Sequence, residues 1–229
     1  MRRCTGNSNV ELISRLCAEK VITNDRVQKT MLEVDRQFYA TRCPYVDSPQ
    51  GIGYAVTISA PHMHAFALST LEKQLRPGKN ALDIGSGSGY LTACMAKMVA
   101  PDGKATGIDH IPELVQKARG NILRGNPELL DGGCLEIVVG DGRKGYERNG
   151  PYDAIHVGAA APETPSHLLS QLAPGGRLLI PVGPQGGNQV MMQYDKHQSG
   201  EVTSTKLMGV IYVPLTDAKS QWPSAGLNQ

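Results

Sequence analysis

The sequence predicts an α/β fold with a doubly wound, mostly parallel sheet, an N-terminal helical segment and an antiparallel C-terminal ending. From Lys79 onward, short β-branched or apolar runs alternate with helical stretches, which is typical of strands joined by crossover helices. A glycine-rich turn follows the first of these runs and opens a helical stretch. The last two strand-like runs have no helical pattern between them, which favours antiparallel pairing.

The first third of the chain is predicted to be helical and then irregular. Residues 8–20 open with a capping-box pattern, Ser8 to Glu11, and space apolar residues along one helical face. Residues 24–36 repeat this spacing. Residues 43–62 contain prolines and glycines without a sustained period, so we predict a long ordered loop there; loops of this length are often functional.

The remaining elements follow from the alternation of apolar runs. We expect one domain over residues 1–229, in which residues 1–75 form the N-terminal helical and loop segment and residues 76–229 form the core and C-terminal strands. The predicted strands are residues 80–85, 104–110, 134–141, 152–159, 176–183, 189–196 and 206–215, with helices near 89–99, 111–124 and 164–172.

Composition excludes several classes of protein. Lys and Arg total 23 against 21 for Asp and Glu, and a net charge of +2 does not favour nucleic-acid binding. The five cysteines are scattered and lack CxxC spacing, which argues against a disulfide framework or a zinc knuckle. No apolar run approaches the roughly 18 residues of a membrane span, and the start lacks the apolar centre of a signal peptide. We therefore predict a cytosolic protein that does not bind a membrane.

The glycine turn predicts a nucleotide-type cofactor. Gly85, Gly87 and Gly89 follow a predicted strand at the start of a predicted helix. Glycines there allow close approach of a ligand, and a helix N-terminus favours an anion. A tight turn of purely structural use is the alternative. The dinucleotide pattern G-x-G-x-x-G requires glycine at position 90, but the residue is Tyr90, so NAD is disfavoured.

Acidic residues follow the next two predicted strands. Asp109 ends the second strand, where doubly wound proteins hold a carboxylate against ribose hydroxyls; capping the helix ahead of Ile111 is the alternative. Asp141 and Gly142 end the third strand and could also be an ordinary turn pair. Because parallel strands end at one edge of a sheet, these residues are expected to lie near the glycine turn.

The stretch VTISAPHMHAFAL, residues 56–68, brings Ser59, His62 and His64 close together. A zinc site is disfavoured because no third ligand lies nearby. A hydrolase is disfavoured because Ser59 has no flanking glycines of the G-x-S-x-G type. Helix capping by Ser59, with Pro61 as an early helical residue, remains a structural alternative.

Several segments resemble the class I S-adenosylmethionine-dependent methyltransferases: LDIGSGSGYLTA, GIDH, VGDGR, YDAIHVGAAAP and LAPGGRLLIPVG. DSPQGIGYAVTISAPHMHA, YDAIHVGAAAP and LMGVIYVPLTD are more specifically similar to the protein-L-isoaspartate (D-aspartate) O-methyltransferase family. The resemblance runs from about Glu11 to Trp222. It implies S-adenosylmethionine as cofactor, S-adenosylhomocysteine as product and no metal.

The resemblance also implies a reaction and its residues. The methyl acceptor would be the α-carboxyl of L-isoaspartyl residues in damaged proteins and, more weakly, the β-carboxyl of D-aspartyl residues, with repair through a succinimide. Ser59 would be catalytic by touching this carboxylate, and the substrate would lie against Ser59, Val213, Pro214, Leu215 and Thr216. The implied cofactor residues are Val56, Thr57, Ile58, Ser59, His64, Asp83, Gly85, Gly87, Ser88, Gly89, Asp109, His110, Asp141, Gly142, Thr216 and Gln221.

Elementary chemistry agrees with a site that has no general base. An α-carboxyl group has a pKa of about 3.3–3.7, so it is already an anion at neutral pH. Methyl transfer then needs a dry site and alignment of the reacting atoms.

A methyltransferase of small carboxylic acids and a non-catalytic cofactor-binding adaptor are the alternative functions. His156, within an apolar strand, is predicted to be a core histidine, and the protein is predicted to be a monomer.

Overall fold

The computed structural model describes residues 6–221. Trp222, the predicted end of the family resemblance, lies outside this range. The strands are β1 (Gln50–Gly53), β2 (Val56–Ile58), β3 (Asn80–Ile84), β4 (Lys104–Asp109), β5 (Leu135–Val139), β6 (Tyr152–Val157), β7 (Leu172–Val182), β8 (Gln189–Lys196) and β9 (Val202–Val210). The α-helices are α1 (Asn9–Ala18), α2 (Asp25–Glu33), α3 (Pro61–Leu71), α4 (Tyr90–Val99), α5 (Pro112–Gly125), α6 (Glu128–Asp131), α7 (Ser166–Ser170) and α8 (Ala218–Gln221).

A seven-stranded sheet in the order β5-β4-β3-β6-β7-β8-β9 forms the centre of the molecule. The strands from β5 to β7 in this order pair in parallel, whereas β8 pairs antiparallel with both β7 and β9. The predicted fold class is therefore confirmed. β3 lies between β4 and β6, so the chain leaves it in one direction and later returns on the other side. Open sheets bind ligands at the carboxyl ends of strands at such a switch point.

The N-terminal helices pack on other helices, with α1 against α2 and α2 against α3 and α4. Leu12 and Leu16 of α1, and Val27 and Met31 of α2, are buried in the same core cluster as residues of α4. Ser8 caps α1 by accepting a hydrogen bond from the Glu11 amide, as predicted. None of the helices within residues 6–221 combines the length and apolar character that a bilayer crossing requires.

Three local predictions need correction. The predicted loop 43–62 contains the β1–β2 hairpin. The last strand ends at Val210, not at residue 215. Ser59 does not cap α3: the N-cap position belongs to Ala60, whose side chain cannot accept a hydrogen bond. The capping alternative for Ser59 was wrong because Pro61 occupies the first helical position, which leaves Ser59 one residue before the N-cap.

Candidate active site

The glycine turn after β3 adopts a backbone that favours glycine. Gly85, Gly87 and Gly89 have φ angles of 73°, 51° and 82°. A Cβ at Gly89 would lie 3.2 Å from side-chain atoms of Ala118 and Ile122, so this glycine lets α4 approach α5. A Cβ at Gly85 would meet no atom closer than 3.9 Å, so the backbone there is open to a ligand.

Two adjoining clefts lie at the carboxyl ends of β3, β4 and β6. The first encloses about 550 Å³ of space that is open to solvent. The second, of about 360 Å³, shares Thr57, Gly85 and Gly158 with the first, so the two form one continuous site. Predicted residues that line the first cleft are Val56, Thr57, Gly85, Asp109, His110, Gly142, Val213, Pro214, Leu215, Thr216 and Gln221. Those that line the second are Thr57, Ile58, Ser59, His64, Asp83, Gly85, Gly87 and Ser88.

Asp109 lies in the first cleft and is held by two backbone groups. Its Oδ2 accepts from the Gly87 amide at 3.1 Å, and its Oδ1 accepts from the Ile111 amide at 3.1 Å. Burial raises the pKa of Asp109, while these hydrogen bonds oppose the shift. The alternative prediction, that Asp109 caps the following helix, is wrong, because the N-cap position of α5 is Ile111 and no side chain makes a cap hydrogen bond there. Each carboxylate oxygen has a further lone pair with which to accept a ligand hydroxyl.

Asp83 and His156 form a buried pair in the wall of the second cleft. Asp83 accepts from Thr92 Oγ1 at 2.6 Å and pairs with His156 Nδ1 at 2.9 Å. Both residues are buried, as predicted for His156. Each carboxylate oxygen of Asp83 thus has one hydrogen-bond partner, and the pairing orients the imidazole of His156 in the cleft wall.

The β1–β2 hairpin covers the glycine turn. A Cβ at Gly87 would lie 3.4 Å from Ile52 Cδ1 and 3.5 Å from Val56 Cγ1, so the hairpin packs directly on this backbone. Lys117 Nζ donates to the Ile52 carbonyl at 2.8 Å and fastens the hairpin to α5. The hairpin, whose second strand contains the implied cofactor residues Val56, Thr57 and Ile58, thus lies as a lid above the turn.

Ser59 is fixed at its backbone. Burial raises the pKa of the nearby Tyr212. The Ser59 carbonyl accepts from Arg36 Nη2 at 2.7 Å, and Arg36 Nη1 lies 3.1 Å from His64 Nδ1. No sequence pattern points to Arg36 as a site residue, because it reaches Ser59 and His64 from a distant part of the chain.

The C-terminal strap, residues 211–221, closes the other side of the first cleft. The Ala160 amide donates to the Val213 carbonyl at 2.8 Å, and the Leu215 amide donates to the Ala160 carbonyl at 2.8 Å. Gln221 Oε1 accepts from His110 Nε2 at 2.8 Å, and Gln221 Nε2 donates to the Tyr54 carbonyl at 3.2 Å. The strap therefore joins the end of β4 to the hairpin lid.

Other predicted residues have structural partners. Gly89 and Asp141 are not among the described residues that line the two clefts. Asp141 pairs with Arg143, which lowers the pKa of its carboxyl group. His62 Nδ1 lies 2.8 Å from Asp47 Oδ1, so the two histidines of the predicted stretch face different partners. Within residues 6–221, no group of three or more His, Cys, Asp or Glu side chains could hold a metal ion.

Comparison with known proteins agrees with this geometry. Residues 7–220 match the family described as protein-L-isoaspartate(D-aspartate) O-methyltransferase. The chain belongs to this family. It is 49% identical over 220 residues to the protein-L-isoaspartate O-methyltransferase of Caenorhabditis elegans, covering 96% of this chain and 97% of the relative. It is 50% identical over 218 residues to protein-L-isoaspartate O-methyltransferase 1 of Arabidopsis thaliana, covering 94% of each.

A solved structure extends the likeness to three dimensions. A Plasmodium falciparum protein assigned as a protein-L-isoaspartate O-methyltransferase is 38% identical, with a TM-score of 0.86 over 92% of this chain and 99% of the other. That protein was crystallised in complex with S-adenosyl-L-homocysteine. The family fold therefore includes the described N-terminal helices and the antiparallel sheet edge as well as the parallel core.

Proposed function

We propose that this protein transfers a methyl group from S-adenosylmethionine to the α-carboxylate of L-isoaspartyl residues in proteins and peptides and, more weakly, to the β-carboxylate of D-aspartyl residues. The ester would begin repair through a succinimide. The observation that carries the proposal is that the second cleft, which Ser59 lines, adjoins the first cleft, which the strap lines, because this joins the implied carboxylate-binding residue to the implied peptide-binding segment.

The cleft has features that fit the cofactor. The backbone of Gly85 is open, and a Cβ at Gly158 would lie only 3.2 Å from the Gly85 carbonyl, so two strand ends meet without side chains between them. Asp109 offers buried acceptor positions for hydroxyl groups. When bound, S-adenosylmethionine supplies an electrophilic methyl group on a sulfonium. Residues of the hairpin lid, the glycine turn and the strap would hold it and exclude water.

Ser59 is placed to orient the acceptor carboxylate. It is partly buried in the second cleft, and its backbone is held by Arg36. A hydrogen bond from such a fixed group aligns a carboxylate without removing a proton from it. His64 lies in the same cleft, but burial and the charge of Arg36 lower its pKa well below 6.5, so it is neutral at physiological pH.

The strap is suited to a peptide and not to a small acid. Ile211 is 94% exposed and Val213 is 37% exposed, so apolar side chains of the strap face outward. An extended peptide can bind such a segment mainly through its backbone, with little demand on its sequence. We also propose that the chain acts as a single domain and a monomer in the cytosol, on protein substrates and not on nucleic acid or membranes.

The decisive experiment compares two synthetic peptides of one sequence that differ only in an isoaspartyl or aspartyl linkage. The isoaspartyl linkage lengthens the main chain by one methylene, so a site that fixes both backbone and carboxylate cannot align both isomers. A displacement of about 1 Å can cost on the order of a hundredfold in rate. We expect labelled methyl transfer to the isoaspartyl peptide and almost none to its isomer. Equal transfer to both would replace this assignment with a general carboxyl methyltransferase, and transfer to neither with tight cofactor binding would indicate an adaptor.

The Ser59→Ala variant tests the acceptor site. We expect kcat to fall about 100-fold or more, as for loss of a preorganised hydrogen-bond donor, with little change in S-adenosylhomocysteine affinity. Ser69→Ala is the matched control, since Ser69 is a partly buried serine of α3 outside both clefts. Covalent labelling of Ser59 by a fluorophosphonate probe would instead indicate a hydrolase.

A further inference from the structure

Arg36 is a buried cation beside the acceptor site. Its exposed fraction is 0%, and no ion pair among residues 6–221 includes it. Its Nε has no hydrogen-bond partner, and its guanidinium carbon lies 5.3 Å from the centre of the Tyr90 ring. Burying a charge without a carboxylate partner costs several kcal/mol. A residue that served only to fill space would not require that charge.

The contact with His64 fixes the position of a proton. A guanidinium group donates hydrogen bonds and cannot accept them. Since Arg36 Nη1 lies 3.1 Å from His64 Nδ1, this nitrogen must be the acceptor. The neutral imidazole therefore carries its proton on Nε2, on the opposite side of the ring from Nδ1.

The other groups around His64 favour the same neutral form. The Tyr90 ring centre lies 4.9 Å from that of His64, on the α4 side. The charges that bear on His64 are those of Arg36, of His156 from β6 and of His62 from its own helix. Burial and these positive charges all lower the pKa of His64. No carboxylate is among the groups that shift it.

The same guanidinium also bonds the Ser59 carbonyl at 2.7 Å. We propose that Arg36 is a positioning residue that holds the Ser59 backbone and fixes His64 as an Nε2–H donor, so that both residues present donors to the carboxylate of the isoaspartyl substrate. The identity of the carboxylate rests on the proposed function. The methionyl carboxylate of the cofactor has the same chemistry, so the experiment must separate the two.

The tautomer can be measured in the wild-type protein by nitrogen-15 NMR of the His64 ring. We expect an unprotonated Nδ1 and a protonated Nε2 from about pH 5.5 to 8, without the titration near 6.5 of an ordinary histidine. A proton on Nδ1, or titration near the ordinary value, would overturn the proposal. This measurement needs no turnover, so its failure is distinguishable from failure of the methyltransferase assignment.

Arg36→Met removes the donors and the charge while retaining apolar volume. We expect kcat/KM for the isoaspartyl peptide to fall about tenfold to a hundredfold at saturating cofactor, while the S-adenosylhomocysteine Kd stays within about threefold. The His64 spectrum should show mixed tautomers and a higher pKa, because the fixed donor and its positive charge are gone. Weaker S-adenosylhomocysteine binding with unchanged peptide kinetics would assign the donors to the cofactor carboxylate and contradict the proposal.

Two further variants keep the test decisive. Arg26→Met is the matched control, since Arg26 is also held by backbone carbonyls, at 2.6 Å from Leu75 and 3.2 Å from Met98, but lies outside both clefts. It should leave the His64 spectrum and peptide kinetics unchanged. Arg36→Lys retains the charge if the Met variant fails to fold. We expect it to lose peptide kcat/KM as well, because an ammonium lacks the planar fork that spans Ser59 and His64. Full activity of Arg36→Lys with mixed His64 tautomers would overturn the proposed role.

Discussion

The parallel sheet and the segments that cover its carboxyl edge are stabilised in different ways. Leu82, Ile155 and Leu179 of the sheet are 0% exposed, so hydrophobic burial fixes these strands. Ile211 of the C-terminal strap is 94% exposed, and the strap is held by a few hydrogen bonds such as those of Gln221. Stability and ligand binding are therefore assigned to separate parts of the molecule, and substitutions should separate the two properties.

The largest effect is expected from a core substitution. Leu82→Ala should lower the free energy of unfolding by about 2–5 kcal/mol, because it leaves a cavity under the sheet. Urea denaturation monitored by circular dichroism would measure this. Leu32→Ala is the control, since Leu32 is 37% exposed, and should change stability by less than about 1 kcal/mol. Similar losses in both variants would show that the sheet core does not dominate stability.

Asp109→Ala tests whether the carboxylate at the end of β4 binds the cofactor. Loss of charge-assisted hydrogen bonds to hydroxyl groups should weaken S-adenosylhomocysteine binding by about 1.5–3 kcal/mol in isothermal titration.

Asp153→Ala is the matched control for this variant. Asp153 also accepts two hydrogen bonds, from Lys79 at 3.0 Å and the Asn80 amide at 2.9 Å, but it lies at the opposite edge of the sheet. Its substitution should leave the affinity unchanged. Unchanged binding in folded Asp109→Ala would remove this carboxylate from the cofactor site.

Gln221→Ala should affect binding but not folding. The variant loses the bridge between His110 and the Tyr54 carbonyl, so we expect S-adenosylhomocysteine to dissociate about 3- to 10-fold faster, in line with roughly 1 kcal/mol per hydrogen bond. Stopped-flow displacement would measure the rate, and thermal unfolding of the ligand-free protein should be unaltered. Gln193→Ala, in β8, is the control. A lowered melting temperature without faster ligand release would show that the strap contributes to the stability of the fold and not to retention of the ligand.

The difference between the buried sheet and the segments that cover its carboxyl edge also explains which features could be predicted from the sequence. The strands, the glycine turn and Asp109 follow from local patterns of burial and turn chemistry, and the structure brings them to one sheet edge. Arg36 could not be found in this way, because its contacts with Ser59 and His64 depend on how α3 packs against the preceding turn. Gln221 was implied only by family resemblance, since its contact with His110 joins residues 111 positions apart.

The smallest effect concerns pH and lies at the start of α3. The hydrogen bond to Asp47 raises the pKa of His62 in the folded protein. This pair therefore stabilises the fold fully below the unfolded pKa of about 6.5, and the contribution is lost as pH rises through the higher folded pKa. For a partly exposed pair we expect up to about 1 kcal/mol.

Urea unfolding at several pH values would measure this contribution. Stability of the wild type should decrease above about pH 6.5 relative to His62→Gln, with cofactor affinity unchanged in the variant. His167→Gln provides a control at an exposed histidine of α7 and should keep the wild-type dependence. An identical pH dependence in His62→Gln and wild type would show that the Asp47 contact contributes nothing.

The two hydrogen bonds between Ala160 and the strap divide it into two parts with different attachments. Val213 and Leu215 are both fastened to the segment that follows β6, so the strap is pinned near its middle. Residues 216–221 are joined to the opposite wall of the first cleft through Gln221, which bonds His110 and the Tyr54 carbonyl. Closing so short a segment costs little conformational entropy. If the cofactor occupies the first cleft, we expect its release to break these two side-chain hydrogen bonds while the Ala160 bonds stay in place.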